Sequence, residues 1–323
     1  MARARPLVYV GPPMDHVFQS GNQRSGKTLL QLILASHPEV TISPGTNVIA
    51  KVLYEMPRNK PLSEANFRKM RQVLQKDRKF KAWRIDHRAY QAHVAQYQSV
   101  TTAQAVEDIM AFFRDQTKPG AKYVGNKKGC YCKEGDLILK IFPGCRLIYL
   151  LRDGRGAVAS MLETQPEHDV YSATLTWTLK AQRIRELKEK LPNDVFVLRY
   201  EELVAEPEKL SRALCSFLDL PYAPEMLANY RTNDAIRHTT DTTHAETYQA
   251  ITTSFVDEWK EKLTGAQLEI VEGIAGAELE ANGYARSKGK TTNLAARARY
   301  RALRTKNYAE WWVSHQRKER RIG

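Results

Sequence analysis

One short glycine-containing stretch near the start of the chain constrains the fold more than any other feature of the sequence. It runs from Gly21 to Thr28, reads GNQRSGKT, follows the apolar run His16 to Ser20 and leads into a helical pattern at 29–34. Glycines let the backbone curl so that successive N–H groups converge on phosphate oxygens, and the following helix adds a partial positive charge. The stretch therefore predicts a phosphate-binding loop between a strand and a helix, in which Lys27 can reach a terminal phosphate oxygen.

Short apolar runs alternate with amphipathic stretches along the rest of the chain. Besides the run at His16 to Ser20, buried strands are predicted at 122–124, 146–151 and 195–198, with helical patterns between them. Strands that alternate with helices in this way form a parallel sheet wrapped by helices. The predicted fold class is therefore α/β, a P-loop-type parallel sheet flanked by helices.

Two of the predicted helices begin at capping boxes, in which a threonine and a glutamine three residues later satisfy backbone N–H groups of the first turn. Thr101 with Gln104 and Thr264 with Gln267 have this spacing, and apolar residues follow each at helical intervals. The second helix is predicted to end at residues 282–283, Asn-Gly, because glycine readily takes up the left-handed conformation that terminates a helix.

The composition predicts one domain with an insertion and an extension. Residues 1–285 are predicted to form a single domain, because 42% of the 323 residues are apolar and can fill one large core. Within this domain, the stretch at about 51–120 opens with a charged segment and is predicted to be an inserted helical cap. Residues 286–323 form a basic extension with 12 Lys and Arg against 2 Asp and Glu, and its aromatic residues favour a basic helical tail packed on the body.

The charge and the cysteines limit the classes of function. A net charge of +14 suits a nucleic acid, an anionic membrane surface or a small polyanionic ligand. No recognised nucleic-acid module surrounds the basic extension, so we expect no specific nucleic-acid partner. The four cysteines form neither a disulfide framework nor a set at zinc spacing, and we expect no metal. Because no signal-like apolar stretch follows the N-terminus and no run of 18 apolar residues occurs, we expect a cytoplasmic protein without a transmembrane segment.

A second anion-binding pattern follows the predicted strand at 146–151. Arg152 stands at the end of this strand, and Ser160 stands eight residues later on the following helix. A guanidinium and a hydroxyl in these positions suit a second anion. Asp153 leaves an alternative open, because a P-loop kinase holds Mg²⁺ with the loop threonine and an acid at the end of a neighbouring strand.

With both patterns in place, the sequence resembles the sulfotransferases that use 3′-phosphoadenosine 5′-phosphosulfate (PAPS), in particular the bacterial and tyrosylprotein-type enzymes. The run RSGKTLL at 24–30, followed by SHPEV at 36–40, is similar to the family's 5′-phosphosulfate loop, which is usually RSGTTLL with a later His-Pro. By this resemblance the 5′-phosphosulfate would be held by loop residues Arg24, Ser25, Gly26, Lys27, Thr28 and Leu29.

The resemblance also assigns the rest of the donor site. Arg152 and Ser160 fall where the family's 3′-phosphate-binding arginine and serine stand, and Tyr200 takes the place of a tyrosine that lies near the adenine. The resemblance implies transfer of a sulfuryl group from PAPS to a hydroxyl or amine, with adenosine 3′,5′-bisphosphate (PAP) as the product and a small molecule or peptide as the acceptor. The alternatives are a P-loop nucleotide-dependent small-molecule kinase and a binding protein without turnover.

Two lysines are predicted to be catalytic. Lys127, in the run GNKK, stands where tyrosylprotein-type enzymes carry a lysine that contacts the reacting sulfate. Lys27 replaces the first threonine of the usual loop pair. Fixed cations at these two positions could meet the negative charge that develops on the leaving phosphate.

The general base is missing from its expected place. Gly45 stands where many relatives carry a glutamate that deprotonates the acceptor, and glycine cannot do so. The candidates in the predicted cap are Glu55, Asp86 and His87. We predict His87 to be the catalytic base, because the ordinary histidine pKa of about 6.5 needs only a small shift to suit proton transfer.

Overall fold

The structure, a computed structural model, describes most of the predicted single domain. The described residues are 14–56, 61–97, 99–233 and 249–287, together with the isolated positions 298, 302 and 305. Apart from residues 286 and 287 and those three positions, the predicted basic extension lies outside the described residues. Within the described part of the chain, no helix is long and apolar enough to span a lipid bilayer.

Five parallel strands form one sheet: β1 (Asp15–Gly21), β2 (Val40–Ser43), β3 (Tyr123–Lys127), β4 (Arg146–Leu151) and β5 (Val195–Arg199). Their spatial order is β2-β3-β1-β4-β5, so β1 is the central strand. Lys127 of β3 pairs with Gln19 of β1, and Leu150 of β4 pairs with Gly21. The carboxyl ends of three neighbouring strands therefore meet at one edge of the sheet, which is where open α/β sheets bind ligands.

Helices connect the strands and cover both faces of the sheet. Between β1 and β5 they are α1 (Lys27–Ala35), the inserted helices α2 (Asn47–Glu55), α3 (Glu64–Lys76), α4 (Arg78–Lys81), α5 (His87–Ala95) and α6 (Thr102–Thr117), and then α7 (Tyr131–Ile141), α8 (Gly154–Thr164) and α9 (Val170–Lys190). After β5 they are α10 (Tyr200–Ala205), α11 (Pro207–Phe217), α12 (Glu225–Ala228), α13 (Trp259–Lys262) and α14 (Gly265–Ala281).

The sheet separates the two largest hydrophobic clusters of the described residues, and a third, smaller cluster joins α8, α9, α13 and α14. Successive strand residues point to opposite faces, so Phe18 and Tyr149 pack in one cluster, and Val17 and Ile148 pack in the other. The Phe18 cluster contains the buried side chains of the insertion, α7 and α9. The Val17 cluster contains those of α1 and of the helices from α10 to α12. The insertion, α7 and α9 therefore share one face of the sheet, and α1 covers the other.

The predicted elements agree with this architecture. The strands predicted at 146–151 and 195–198 are confirmed to within one residue, and both capping boxes form, at Thr101 and at Thr264. Gly283, with φ of 80°, follows the end of α14 as predicted. The insertion runs from α2 to α6, close to the predicted range of about 51–120. Strand β2 was not predicted, and β3 continues three residues beyond the predicted end at residue 124.

Candidate active site

Polar side chains hold the loop between β1 and α1 in shape. Ser25 Oγ donates a hydrogen bond to the Asn22 carbonyl oxygen at 2.9 Å, and the Asn22 side-chain amide donates to the Trp177 carbonyl oxygen at 3.1 Å. The Asn22 backbone N–H donates to the Leu150 carbonyl oxygen at 3.3 Å. The loop is thereby attached to both β4 and α9, which positions it for ligand binding before any ligand arrives.

Two glycines of the loop permit contacts that a side chain would prevent. A Cβ atom at Gly21 would lie 2.2 Å from the Leu150 carbonyl oxygen, and one at Gly26 would lie 2.8 Å from the Tyr200 ring. Gly26 has φ of 82° and Arg24 has φ of 55°, so two positions of the loop are left-handed. Left-handed residues in such a loop turn successive N–H groups toward one concave side, where they can bind an anion.

The helix that follows the loop contributes further donors. Its N-cap residue is Gly26, which has no side chain with which to cap the first turn. The N–H groups of the first turn have no partner within a helix, and the helix dipole makes this end positive. Lys27, Thr28 and Leu29 form that turn and line a cavity, so the start of α1 is suited to bind phosphate or sulfate oxygens.

Lys27 is half-buried at this helix start. Its Nζ donates a hydrogen bond to the Asn22 carbonyl oxygen. Burial, and then the positive charges of Lys180, Lys127 and Arg24, lower the pKa of Lys27 to about 7. An anion bound at the loop would supply the negative charge that restores the protonated form.

Lys127 approaches the same helix start from the end of β3. Its Nζ donates to Thr28 Oγ1 at 3.1 Å. Burial, and then the positive charge of Lys79, lower the pKa of Lys127 to about 7. The structure thus brings together the two lysines that the sequence predicted to be catalytic, because β1 and β3 are neighbours in the sheet.

The second predicted anion site lies on the other side of the loop, after β4. Arg152 donates from NH1 to the Arg24 carbonyl oxygen at 3.1 Å and from NH2 to the Phe255 carbonyl oxygen at 2.6 Å. Its Nε is buried without a hydrogen-bond partner. Arg24 Nε donates to Ser160 Oγ at 2.9 Å, and the Arg152 guanidinium lies 5.0 Å from the centre of the Tyr200 ring. Arg152 and Ser160 are therefore close neighbours of the loop itself.

One cavity of about 660 Å³ joins these groups. This volume lies within the usual range for small-molecule sites. Every residue that the sequence assigned to the donor lines it, namely Arg24, Ser25, Gly26, Lys27, Thr28, Leu29, Arg152, Ser160 and Tyr200, and Lys127 lines it as well.

Part of the cavity wall was not predicted from the sequence. Residues 249–252 and Phe255 line the cavity, and the Phe255 carbonyl oxygen is the one that Arg152 contacts. Lys262 also lines it and is paired with Glu163 at 2.9 Å and Glu258 at 3.0 Å. The stretch at 249–262 carries no phosphate-binding motif, so no signal in the sequence alone could have placed it here.

The prediction that His87 is the general base is not supported by its position. His87 does not line the cavity. Its Nε2 lies 3.0 Å from the Trp83 carbonyl oxygen, and its ring packs edge-on against Phe80 at 5.2 Å between centroids. These contacts hold His87 inside the insertion, at the start of α5. Of the other two candidates, Asp86 caps α5 by accepting from the Ala89 N–H, and the side chain of Glu55 lies outside the described residues.

Asp153 is the acidic residue on which the alternative prediction of a kinase depends, and it takes part in an ion-pair network. Its carboxylate accepts from the Arg155 backbone N–H at 2.9 Å and from the Arg155 guanidinium at 2.7 Å. Arg155 also donates to Glu272 at 2.9 Å. Both Asp153 and Glu272 are buried, so this network ties the start of α8 to α14.

Comparison with known proteins adds to this geometry. The sequence model of the sulfotransferase family matches residues 16–224. Protein-tyrosine sulfotransferase 1 of Danio rerio is 29% identical over 248 residues, which cover 72% of this chain and 58% of that protein. Protein-tyrosine sulfotransferase of Drosophila melanogaster is 25% identical over 243 residues, which cover 73% of this chain and 40% of that protein. The chain thus spans about two fifths to three fifths of the length of these curated relatives.

Solved structures share the fold. The sulfotransferase domain from the Synechococcus PCC 7002 olefin synthase superposes with a TM-score of 0.64 and 18% identity, covering 87% of this chain and 99% of that one. The sulfotransferase domain from the curacin biosynthetic pathway superposes with a TM-score of 0.61 and 20% identity, covering 84% of this chain and 98% of that one. At these identities the likeness establishes the architecture alone.

Proposed function

This chain belongs to the sulfotransferase family, and from that premise we propose that it transfers a sulfuryl group from PAPS to a hydroxyl or amine acceptor. The observation that carries the proposal is the shared cavity, in which the loop with Lys127 stands on one side and Arg152 with Ser160 on the other. A donor with phosphosulfate at its 5′ position and phosphate at its 3′ position requires two anion subsites in one cavity. The protein-tyrosine sulfotransferases among its relatives favour a peptide or protein as the acceptor.

Features of the cavity fit this donor. The buried Arg152 Nε lacks a partner that a 3′-phosphate oxygen would provide. Gly26 leaves the Tyr200 ring in direct contact with the loop, and this ring offers a flat surface for an adenine. We propose that Arg152 and Ser160 hold the 3′-phosphate, that the loop and the start of α1 hold the 5′-phosphosulfate, and that Tyr200 contacts the base.

The chemistry that the donor supplies is an activated sulfuryl group on a phosphate leaving group. The chain's own contribution is to align the acceptor and to stabilise the negative charge that develops on that phosphate. Arg24, Lys27 and Lys127 are the cations placed to do so. Because Thr28 anchors the Lys127 ammonium at 3.1 Å, this charge is held in place before the reaction and needs little reorganisation during it.

A kinase is the less favoured assignment. The acid that would bind Mg²⁺ in that assignment is Asp153, and its carboxylate is held by the Arg155 guanidinium. A kinase also gives no role to the placement of Arg152 and Ser160 beside the loop, where each forms a hydrogen bond with Arg24. The family match points to sulfuryl transfer as well.

The test combines binding with turnover. PAP should raise the melting temperature of the protein more than ATP with Mg²⁺ does, because a ligand that binds only the folded state stabilises it. Incubation with isotopically labelled PAPS and a panel of tyrosine-containing peptides and small hydroxyl and amine compounds should then yield a labelled sulfate ester or sulfamate by mass spectrometry. Equal stabilisation by the two nucleotides, or turnover that strictly requires ATP, would contradict the proposal.

A further inference from the structure

The peptide unit that joins Arg152 to Asp153, just after β4, is held by side chains from two other elements. The indole Nε1 of Trp177, on α9, donates a hydrogen bond to the Arg152 carbonyl oxygen at 2.9 Å. The carboxylate of Glu201, on α10, accepts from the Asp153 N–H through Oε1 at 2.9 Å. Both polar groups of this peptide unit therefore have fixed partners, and the backbone that carries the Arg152 side chain is held from two sides.

The Asp153 N–H needs an acceptor from outside its own helix. Asp153 is the N-cap residue of α8, and N–H groups at the start of a helix have no acceptor within the helix. Glu201 supplies that acceptor from the start of α10. Leu151 of β4 pairs with Arg199 of β5, so Glu201 and Asp153 each lie two residues beyond this last pair. The hydrogen bond between them thus continues the connection between the two strands past the end of the sheet.

The position of the Glu201 carboxylate is itself fixed. Its second oxygen, Oε2, accepts from the Tyr284 hydroxyl at 2.9 Å. The Tyr284 ring is buried, and the Arg199 guanidinium lies 5.6 Å from its centre. Because each carboxylate oxygen has its own donor, the carboxylate has one preferred orientation before any ligand arrives.

Glu201 can influence the donor cavity through its neighbours in the chain. Arg152 and Tyr200 line the cavity, whereas Glu201 does not. The Arg152 guanidinium lies 5.0 Å from the centre of the Tyr200 ring, and its buried Nε has no hydrogen-bond partner. A hydrogen bond to a phosphate oxygen weakens steeply when its donor is displaced or turned. Any movement of the backbone at Arg152 would therefore reduce its contact with a phosphate.

Resting on the proposed function, we infer that Glu201 is a positioning residue that sets Arg152 for the 3′-phosphate, and that it thereby contributes to the selectivity for donors carrying this phosphate. The 5′-phosphosulfate is assigned to the loop, whose shape depends on the hydrogen bonds of Asn22 and Ser25. Loss of the Glu201 bridge should therefore weaken a ligand that has a 3′-phosphate more than one that lacks it.

This role requires the hydrogen bonds of Glu201 and not its charge. Burial raises the pKa of Glu201, and the negative charge of Asp153 acts in the same direction, although the hydrogen bonds from the Asp153 N–H and the Tyr284 hydroxyl oppose this shift. A glutamine has the same length, and its amide oxygen can accept from the Asp153 N–H while its NH2 donates to the Tyr284 hydroxyl oxygen. An aspartate keeps the charge but is one methylene shorter, so it cannot reach both partners.

Isothermal titration calorimetry with PAP and with adenosine 5′-phosphosulfate, which lacks the 3′-phosphate, compares these variants. Glu201→Asp should weaken binding of PAP about tenfold and of adenosine 5′-phosphosulfate no more than about twofold, because a contact to a charged phosphate is impaired. Glu201→Gln should bind both ligands within about threefold of the native chain. Tyr284→Phe, which keeps the ring and removes the hydroxyl, should weaken PAP about threefold and leave the second ligand unchanged.

The matched control is Glu202→Asp, the same shortening at the next residue. Glu202 accepts from Arg199 Nε at 2.9 Å, and its shortening should change the Kd of neither ligand. Melting temperatures of all variants check that they fold, and Tyr284→Phe carries the same comparison of ligands if Glu201→Asp does not fold.

Three outcomes would overturn the inference. They are equal weakening of the two ligands by Glu201→Asp, a loss of PAP affinity below about threefold in that variant, and a Glu201→Gln variant that binds PAP as weakly as the aspartate variant does. The last result would show that the charge of Glu201 matters and not its hydrogen bonds. Failure of the native chain to bind PAP would instead contradict the proposed function, and the inference with it.

Discussion

Arg152 combines a proposed ligand contact with two structural contacts, and the two roles can be separated by experiment. Its guanidinium donates to the backbone at Arg24 and at Phe255, while Nε has no partner. Arg152→Ala should weaken binding of PAP by about 1.5–3 kcal/mol, the usual value of a hydrogen bond to a charged group, and should change the binding of adenosine 5′-phosphosulfate, which lacks the 3′-phosphate, only slightly. Isothermal titration calorimetry of both ligands measures this. Equal weakening of the two would show that Arg152 acts by holding the loop.

Lys127 should contribute more to the transition state than to the binding of the donor. Because charge develops on the leaving phosphate during the reaction, Lys127→Ala should lower kcat by about 10² to 10³ while the Kd for PAPS stays within a few-fold. Steady-state kinetics and direct binding on the same preparation measure the two effects.

Two further variants sharpen this test. Lys27→Ala should change both kcat and Kd, since Lys27 lies inside the loop that we propose to hold the donor both before and during the reaction. Lys127→Arg should not fully restore the rate, because a planar guanidinium cannot reproduce the compact ammonium that Thr28 anchors. A normal kcat for Lys127→Ala would remove this residue from the mechanism.

The residues of the proposed donor site could be brought together from the sequence because they belong to local motifs. The loop from Gly21 to Thr28, and Arg152 with Ser160, each lie within about one strand-to-helix connection, where backbone geometry follows from nearby sequence. The stretch at 249–262 reaches the site only through packing between distant elements. Packing also decides the position of His87, whose chemistry suits a base but whose ring the insertion holds against Phe80, outside the cavity.

At the scale of elements, the sheet was predicted except where its strands are short or polar. β2 has four residues, VTIS, too few to show a clear periodic pattern. β3 ends in polar residues, and Asn126 is buried there because its side chain donates to Ser43 Oγ and accepts from the Tyr131 hydroxyl. Those partners lie on other elements, so the sequence around Asn126 does not reveal that the strand continues.

The capping box at the start of α14 provides a test of stability. Thr264 Oγ1 accepts from the Gln267 N–H at 3.3 Å, and the Gln267 side chain accepts from the Thr264 N–H at 2.9 Å. Thr264→Ala should lower the free energy of unfolding by about 1 kcal/mol, whereas Thr264→Ser should lower it much less. Urea denaturation of the three proteins measures the difference. An alanine variant as stable as the serine variant would show that this cap contributes nothing.

At the scale of the whole molecule, the two half-buried lysines of the cavity, Lys27 and Lys127, link ligand binding to pH. In the free protein both have a pKa of about 7, so both are largely neutral at pH 8. A bound anion raises the pKa of each lysine, so the two lysines should take up protons when PAP binds at pH 8. The affinity for PAP should therefore fall as the pH rises above 7. Calorimetry in buffers of different ionisation enthalpy counts these protons. Binding heats that are independent of the buffer would contradict the prediction.

The same two lysines also make the stability of the ligand-free protein depend on pH. An unfolded chain keeps these lysines protonated up to their ordinary pKa of about 10.4, while the folded chain releases the protons near pH 7. The unfolded state therefore binds more protons between these values, and this contribution to stability rises with pH across that window. Urea midpoints at pH 7 and 9 for the native chain and for the Lys27→Met and Lys127→Met variants measure it. The native chain should gain more stability between the two pH values than either variant does.

The order of the strands has a consequence for how the chain is made. Among the described residues, the central strand β1 pairs only with β3 and β4, and β2 pairs only with β3, so neither has a partner in the part of the first 122 residues that the structure describes. During synthesis, both strands leave the ribosome long before β3 does, while the inserted helices between β2 and β3 can already form local contacts. The nascent chain must therefore carry two unpaired apolar strands for much of its translation, and this interval is when it most needs protection by chaperones.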